Sequence, residues 1–310
     1  MNGPQVSVII LNWNGLEDTV ECLESLRKIS YPNYEVIVVD NGSKGNDADI
    51  LENKYRDYIR VIRNDENYGF AEGNNIAIRW LLENSKSDYY LLLNNDTVVA
   101  PDFLHELVRI AENDDGIGIV GPKIRYYDFN GKTNVIWSAG GKICRWSPQI
   151  YKDIGLKEED LSQYQAVSEV AWVSGAALML NCRIIDELSL FDSEYFFGHE
   201  DVDYCLRARR CGFKVVYVPN SIVWHKVGSS RKRIGYKPVL RPLLLYYRLI
   251  KHNFSLAIYI YQVCMLPVIL CQRATAYLIK YRDKETLLVF LADLKRFVFV
   301  RLRGKSNQFL

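Results

Sequence analysis

Short apolar runs alternating with amphipathic segments predict an α/β fold over residues 1–225, a mostly parallel sheet with helices on both faces. Three observations predict it. Val6–Leu11, Tyr34–Val39, Ile59–Arg63, Tyr89–Leu93 and Ile117–Val120 are apolar runs of strand length. Segments of helical period separate most of them. Several of the runs stop at Asn, Asp, Gly or Ser, the residues of tight turns.

Each element follows from its local pattern. After Asn12-Trp13-Asn14-Gly15, the residues Leu16, Val20, Leu23 and Leu26 recur at helical spacing, with acids early and Arg27-Lys28 late, as a helix dipole favours. Asp40-Asn41-Gly42-Ser43 closes the second strand. Ala71–Leu82 reads as a helix, and Pro101–Glu112 as another with proline in its first turn. From Tyr126 to Val170 the pattern loosens into aromatic and polar residues. Ala171–Leu180 reads as a strand, His199–Arg210 as a helix, and Lys214–Val218 and Ile222–Trp224 as two short strands split by Pro219-Asn220. Gly116–Gly121 matches a dinucleotide-binding fingerprint by letter, but its glycines lie inside the fifth strand and Pro122 follows where a helix should open.

Charge divides the chain. Of 39 Lys/Arg and 37 Asp/Glu, 17 and three lie after His225, leaving 22 and 34 before it, so a net −12 body precedes a net +14 tail. This asymmetry predicts a domain over 1–225 and a basic, apolar, helical region over 226–310 that faces an anionic surface. Asn253–Gln272 carries no charge but contains Asn253, Ser255, Gln262, Pro267 and Gln272, and Leu287–Val300 is amphipathic. A segment lying in a membrane surface, a span and a soluble helical subdomain are all readings of this pattern, and the first fits best. The apolar run beside the basic residues favours lipid over nucleic acid. Seven cysteines without paired spacing suit a reducing compartment, and the opening residues lack the cationic start of a signal peptide.

Strand-terminal turns are where a parallel sheet binds ligands. Asn94-Asn95-Asp96 ends one strand; Asp96 is either a ligand for a divalent cation carrying a diphosphate or an ordinary turn former. Asp40 is either a ribose or base contact or a cap for its own turn. Gly198-His199-Glu200-Asp201-Val202-Asp203 sets three carboxylates at a helix start, beside Phe196-Phe197 and ahead of Arg207, Arg209 and Arg210. Such a carboxylate can serve as a general base, Asp201 being the candidate. His225 is a structural histidine or a further metal ligand.

Taken together these residues resemble glycosyltransferase family 2, in particular its rhamnosyltransferase-like branch. The resemblance rests on Val6–Gly15, Val38–Ser43, Asn67–Asn74, Leu92–Asp96, Ser174–Leu178, Gly198–Asp203 and Val218-Pro219 with Trp224-His225, in that order and spacing. It implies the GT-A fold, a divalent metal (Mg2+ or Mn2+), a nucleotide-sugar donor such as dTDP-rhamnose or a UDP-sugar, and inversion at the anomeric carbon. By resemblance Trp13 and Asp40 contact the nucleoside, while Asn67, Gly69, Asn74 and Asn95 shape the nucleotide site. Asp96 and His225 hold the metal, Asp201 is the base, and Gly175 and Glu200 lie near the sugar or acceptor. Asn94 stands where the family's metal motif has its earlier aspartate. The implied acceptor is a glycan or polyprenyl-linked hydroxyl, with its phosphates at Arg231, Lys232 and Arg233, on the cytoplasmic side of a membrane held peripherally. A sugar nucleotidyltransferase would want a glycine-rich basic loop after the first strand, where Asn12–Gly15 stands instead; a non-catalytic nucleotide-sugar sensor would not need Asp201.

Overall fold

In this computed structural model residues 3–227 and 241–281 are described. The chain forms two compact units, Met1–Ile143 with Tyr151–Ile234, and Cys144–Ile150 with Gly235–Leu310. Arg231, Lys232, Arg233 and the 287–300 segment lie outside the described residues.

The first unit begins β1 (Val6–Asn12), α1 (Leu16–Leu26), β2 (Tyr34–Asn41), α2 (Asp47–Lys54), β3 (Ile59–Asn64), α3 (Gly69–Asn84), β4 (Tyr89–Asn94), β5 (Thr97–Val99) and α4 (Phe103–Ala111). It continues with β6 (Ile117–Tyr126), β7 (Ile136–Ser138), β8 (Gly141–Ile143), β9 (Tyr151–Asp153), β10 (Ser168–Glu169) and β11 (Ala177–Asn181). Then come α5 (Arg183–Leu188), α6 (Glu200–Arg210) and β12 (Lys214–His225). The main sheet runs β10-β12-β6-β11-β4-β1-β2-β3, with β5 on β12 and β7 on β6. β3, β2, β1 and β4 are parallel neighbours, as are β6 and β12. β11 inserts antiparallel between β4 and β6.

Strand alternation buries both faces, as expected. Val6, Val8 and Ile10 turn to one side with Val36 and Val38, packing on Cys22, Leu23 and Leu26 of α1 and Phe103, Leu104 and Leu107 of α4. α3 covers the other side so closely that a Cβ on Gly73 would meet Leu11 Cδ1 at 2.6 Å. The reversal of strand order at β1, with β2 on one flank and β4 on the other, makes the carboxyl ends of these parallel strands the place where such a sheet forms a ligand crevice.

Three local readings change. β12 is one strand rather than two: Pro219-Asn220 sits in a register shift between Val218 and Ile222, where a bulge tolerates a residue with no N–H. β11 starts only at Ala177, because Ser174–Ala176 leave the ladder; Ser174 Oγ accepts from Ala176 N at 3.2 Å instead. The loosened stretch forms the short strands β7 to β10, held down by an ion cluster. In it the Lys123 ammonium and Arg125 guanidinium converge on Asp160, at 3.1 Å and 2.5 Å, with the Lys123 and Asp160 side chains each 1% exposed. Gly118 and Gly121 lie inside β6, where a Cβ on Gly121 would meet Val173 Cβ at 2.5 Å; they serve packing.

The second unit contains α7 (Arg241–Asn253) and α8 (Leu256–Tyr281), the latter with Pro267 inside it. Among the described residues no helix is long and apolar enough to cross a membrane.

Removing one partner of a buried ion cluster strands the others. Asp160→Ala is therefore expected to cost about 3–5 kcal/mol in denaturant unfolding, a loss that an exposed pair such as Arg63–Asp49 would not show on Asp49→Ala.

Candidate active site

The crevice at the strand ends is lined by short polar side chains that bond to one another. Asn12, at the end of β1, donates from Nδ2 to Asp40 Oδ1 at 2.8 Å, Ser43 Oγ at 3.2 Å and Asp47 Oδ2 at 3.1 Å. Asp40 also accepts from Ser43 Oγ at 2.6 Å and Ser43 N at 3.3 Å, so its carboxylate braces its own turn. Trp13 follows at the half-buried lip, and Asn14 takes a left-handed φ of 49°, a conformation asparagine tolerates. Thr19 of α1 joins the turns, donating to Asn12 Oδ1 at 2.8 Å and accepting from Asn95 Nδ2 at 2.9 Å.

A second cluster centres on Asn41, which sequence reasoning passed over although it follows Asp40 directly. Its Nδ2 donates to Asn67 Oδ1 at 3.0 Å and Gly69 O at 3.1 Å, and its Oδ1 accepts from Asn64 Nδ2 at 2.9 Å. Gly69 has φ 81°, and a Cβ there would collide with the carbonyl oxygen of Phe196; only glycine fits. Asn74 is buried and donates to Phe70 O at 2.8 Å, within α3.

Asp96 and His225 meet at the end of β4 and the end of β12. Asp96 Oδ1 lies 3.0 Å from His225 Nε2, both side chains nearly fully buried. Asn94 Nδ2 is 3.5 Å from the same nitrogen. The backbone N–H of Lys226 donates to Asp96 O at 2.9 Å, and the Lys226 ammonium is anchored on Asp18 at 2.6 Å and Glu21 at 2.5 Å of α1. The donor set fits a divalent cation. Two adjacent ligands on an octahedral ion with bonds of about 2.1 Å stand roughly 3 Å apart, as this oxygen and nitrogen do. His225 Nδ1 is buried with no hydrogen bond, and Trp137 packs against the ring at 83° with 4.7 Å between centroids. Among the described residues no three His, Cys, Asp or Glu gather as a metal group, so an ion here would take its remaining ligands from elsewhere.

The acidic first turn of α6 is tied to the end of β4 through the approach to β11. Asn94 N donates to Ala176 O at 2.9 Å, and the next residue back, Gly175, donates its N–H to Asp201 Oδ2 at 2.8 Å. Asp201 Oδ1 accepts from Val202 N at 2.8 Å. Chain direction into α6 is set by Gly198 and His199, both at positive φ, 96° and 77°.

Burial raises the pKa of Asp201, while the Gly175 and Val202 N–H groups act in the opposite sense and favour its ionised form. Glu200 is buried with Oε2 unbonded, and burial, then the Asp201 charge, push it up to about 8. Glu200 thus keeps its proton near neutral pH, while the Gly175 and Val202 N–H groups draw the charge of the pair toward Asp201.

Two contributors went unread in the loosened stretch. Tyr151 on β9 places its hydroxyl 2.6 Å from His199 Nδ1. Asp153, two residues on and on the same face of the strand, is pushed up to about 6 by burial and then by Asp201. A carboxylate among aromatic residues was the one signal available there.

Residues 4–235 match the family model described as "Glycosyltransferase like family 2". The chain belongs to this family. Among its relatives is the uncharacterized protein y4gI of Sinorhizobium fredii, 31% identical over 239 residues, which are 74% of this chain and 25% of that one. Another is the rhamnosyltransferase WbbL of Escherichia coli K12, 25% identical over 228 residues, covering 68% and 80% respectively. In structure the chain is similar to GalNAc-T7 crystallised with UDP, GalNAc and Mn2+, at a TM-score of 0.62 and 20% identity over 81% of this chain and 48% of that one. This likeness shows the fold, GT-A, as the family resemblance implied. The chain thus spans a quarter of the length of y4gI and about half that of GalNAc-T7.

A buried carboxyl with a raised pKa favours the folded state at low pH, and that advantage disappears as pH rises through its folded value. Wild type and Glu200→Gln are expected to melt alike near pH 5. Near pH 9 the variant should melt higher, by about 2–4 °C for each kcal/mol relieved, as read by calorimetry at both pH values.

Proposed function

We propose that the protein is an inverting glycosyltransferase that moves a sugar from a nucleotide-sugar donor to a hydroxyl of a glycan or polyprenyl-linked acceptor. The donor is dTDP-rhamnose or a UDP-sugar, a divalent metal assists, and Asp201 is the general base. The observation that carries this is the hydrogen-bonded path from Asn94, two residues before Asp96, through Ala176 and Gly175 to Asp201, which ties the strand end bearing the Asp96–His225 pair to an oriented carboxylate. The UDP and Mn2+ of GalNAc-T7 support the donor and metal class, and the rhamnosyltransferase WbbL supports rhamnose.

In this reading Trp13 and Asp40 meet the nucleoside, and Asn67, Gly69, Asn74 and Asn95 shape the nucleotide pocket. Asp96 and His225 hold Mg2+ or Mn2+. Bound there, the ion would neutralise charge on the diphosphate leaving group. Asp201 accepts the proton of the acceptor hydroxyl as that oxygen bonds to the anomeric carbon. The bond from that carbon to the diphosphate oxygen breaks, the electron pair leaves with the nucleoside diphosphate, and Asp201 then releases its proton to solvent. Glu200, neutral beside it, and Gly175 border the sugar and acceptor. Water exclusion falls to the Phe70 and Phe196 side of the crevice, where Gly175 and Gly69 approach. The basic, acid-poor region 226–310 supports a peripheral place on the cytoplasmic side of a membrane.

Donor class is read from thermal shifts with dTDP-rhamnose, UDP-glucose and UDP-GlcNAc, each with and without Mn2+. One donor is expected to stabilise by about 2.7 kcal/mol at a hundred times its Kd, only with the metal, and Asp96→Ala should abolish that metal-dependent shift. No stabilisation by any nucleotide sugar with Mn2+ would refute the nucleotide-sugar reading.

Asp201→Asn is expected to keep that donor-induced shift and lose about 10²–10⁴-fold in nucleoside diphosphate release. Because its folded pKa is raised, the wild-type rate should fall on acidification at a pH above the ordinary aspartate range. Near-normal turnover of Asp201→Asn would sink the base assignment.

A further inference from the structure

The second unit wears its helix α8 inside out. Gln262 is 0% exposed and fully bonded: Nε2 donates to Ser147 O at 2.7 Å, Oε1 accepts from the Tyr246 hydroxyl at 3.2 Å, and its carbonyl accepts from the Tyr247 hydroxyl at 2.8 Å. Ile258, one turn earlier, is buried beside it. The opposite side carries Leu256 at 72% exposure, Ile260 at 53% and Val268 at 42%, with Ala257, Cys264 and Pro267 also exposed. At about 100° per residue these six fall within an arc of roughly 120°, with Ile258 and Gln262 on the far side. A water-facing helix of a globular unit shows the reverse arrangement, polar outside and apolar inside.

The 144–150 segment extends this face. Trp146 is 64% exposed, stacks edge-on against Tyr261 at 5.4 Å between centroids, and accepts the Tyr261 hydroxyl on its carbonyl at 2.9 Å. Charge says what covers the face. Residues 144–150 and 241–281 contain six Lys/Arg (Arg145, Arg241, Arg248, Lys251, Arg273 and Lys280) and no Asp or Glu. An apolar stripe beside an exposed tryptophan, on segments whose charged residues are all cations, matches an anionic bilayer surface, in which the ring sits at the headgroup level.

We propose that the exposed face formed by Trp146, Leu256, Ile260 and Val268 inserts into the interfacial layer of a bilayer containing anionic lipid. The inference deepens the peripheral-membrane reading above and is independent of the sugar-transfer chemistry. In this reading α8 lies in the surface rather than crossing it, because Gln262 is buried and bonded within its own unit and Pro267 stands inside the helix.

Flotation of the full chain with vesicles of phosphatidylcholine and about one third phosphatidylglycerol tests this. The wild type is expected to float, weakly with phosphatidylcholine alone, and to be only partly released by salt, because the apolar contact survives screening. Leu256→Ser with Ile260→Ser should weaken binding by about tenfold or more for the two side chains removed, and Trp146→Ala should weaken it further. These side chains are exposed, so both variants should keep the wild-type melting temperature and the Mn2+-dependent donor shift. Unchanged flotation of the double serine variant, or no flotation of the wild type, would overturn the proposal. So would a dimer in light scattering that Ile260→Glu dissociates while vesicles bind nothing. A lost donor shift in the wild type would count against the catalytic reading alone.

Discussion

One hydrogen bond, from the Gly175 backbone N–H to Asp201 Oδ2, ties the acidic start of α6 to the approach of β11, whose Ala176 carbonyl in turn holds Asn94 N. It exists because β11 runs antiparallel beside β4 and its approach, Ser174–Ala176, stays out of the ladder. The Ala176 carbonyl is thereby left to Asn94, and the Gly175 N–H to a carboxylate more than twenty-five residues away. Residue 175 must be small: a Cβ would press at 3.3 Å on both Asp201 Cβ and Phe70, against the residue it orients and the wall beside it. A fixed carboxylate costs no reorganisation when a proton must be taken, which is the physical sense of preorganisation.

Around that bond the crevice is rigid for a second reason. Asn12, Thr19, Asp40, Ser43 and Asn95 satisfy one another, so three separate chain turns move as a unit. Asn41 does the same for the 64–69 loop. Small amides suit this work because each both donates and accepts within a short reach. Arg and Lys are scarce in the pocket itself, and Lys226 is occupied on α1.

The parallel core was legible because its period is local: alternating strand and helix signals need no long-range information. The turns carrying Asp40, Asp96, Asp201 and His225 were legible as strand ends and a helix start. Less visible was whatever depended on distant partners. Ser174–Ala176 look like strand residues and leave the strand to serve Asp201. Pro219 looks like a break and becomes a bulge within one long β12. Tyr151 and Asp153 sit on a three-residue strand, too short for any periodicity to announce, and acquire meaning only where α6 begins. Asp40 shows the limit from the other side, since its residue type suited both a ligand contact and a turn brace, and its oxygens serve the brace here.

The proton retained by Glu200 shapes the electric field of the crevice. If all were ionised, Asp96, Asp153, Glu200 and Asp201 would carry four negative charges that repel one another. A neutral Glu200 lowers that repulsion without removing any side chain, and it leaves the one remaining charge next to it more sharply localised. Alkaline solution would restore the missing charge beside Asp201. The acidity of one enclosed carboxyl thus governs how negative this end of the sheet is.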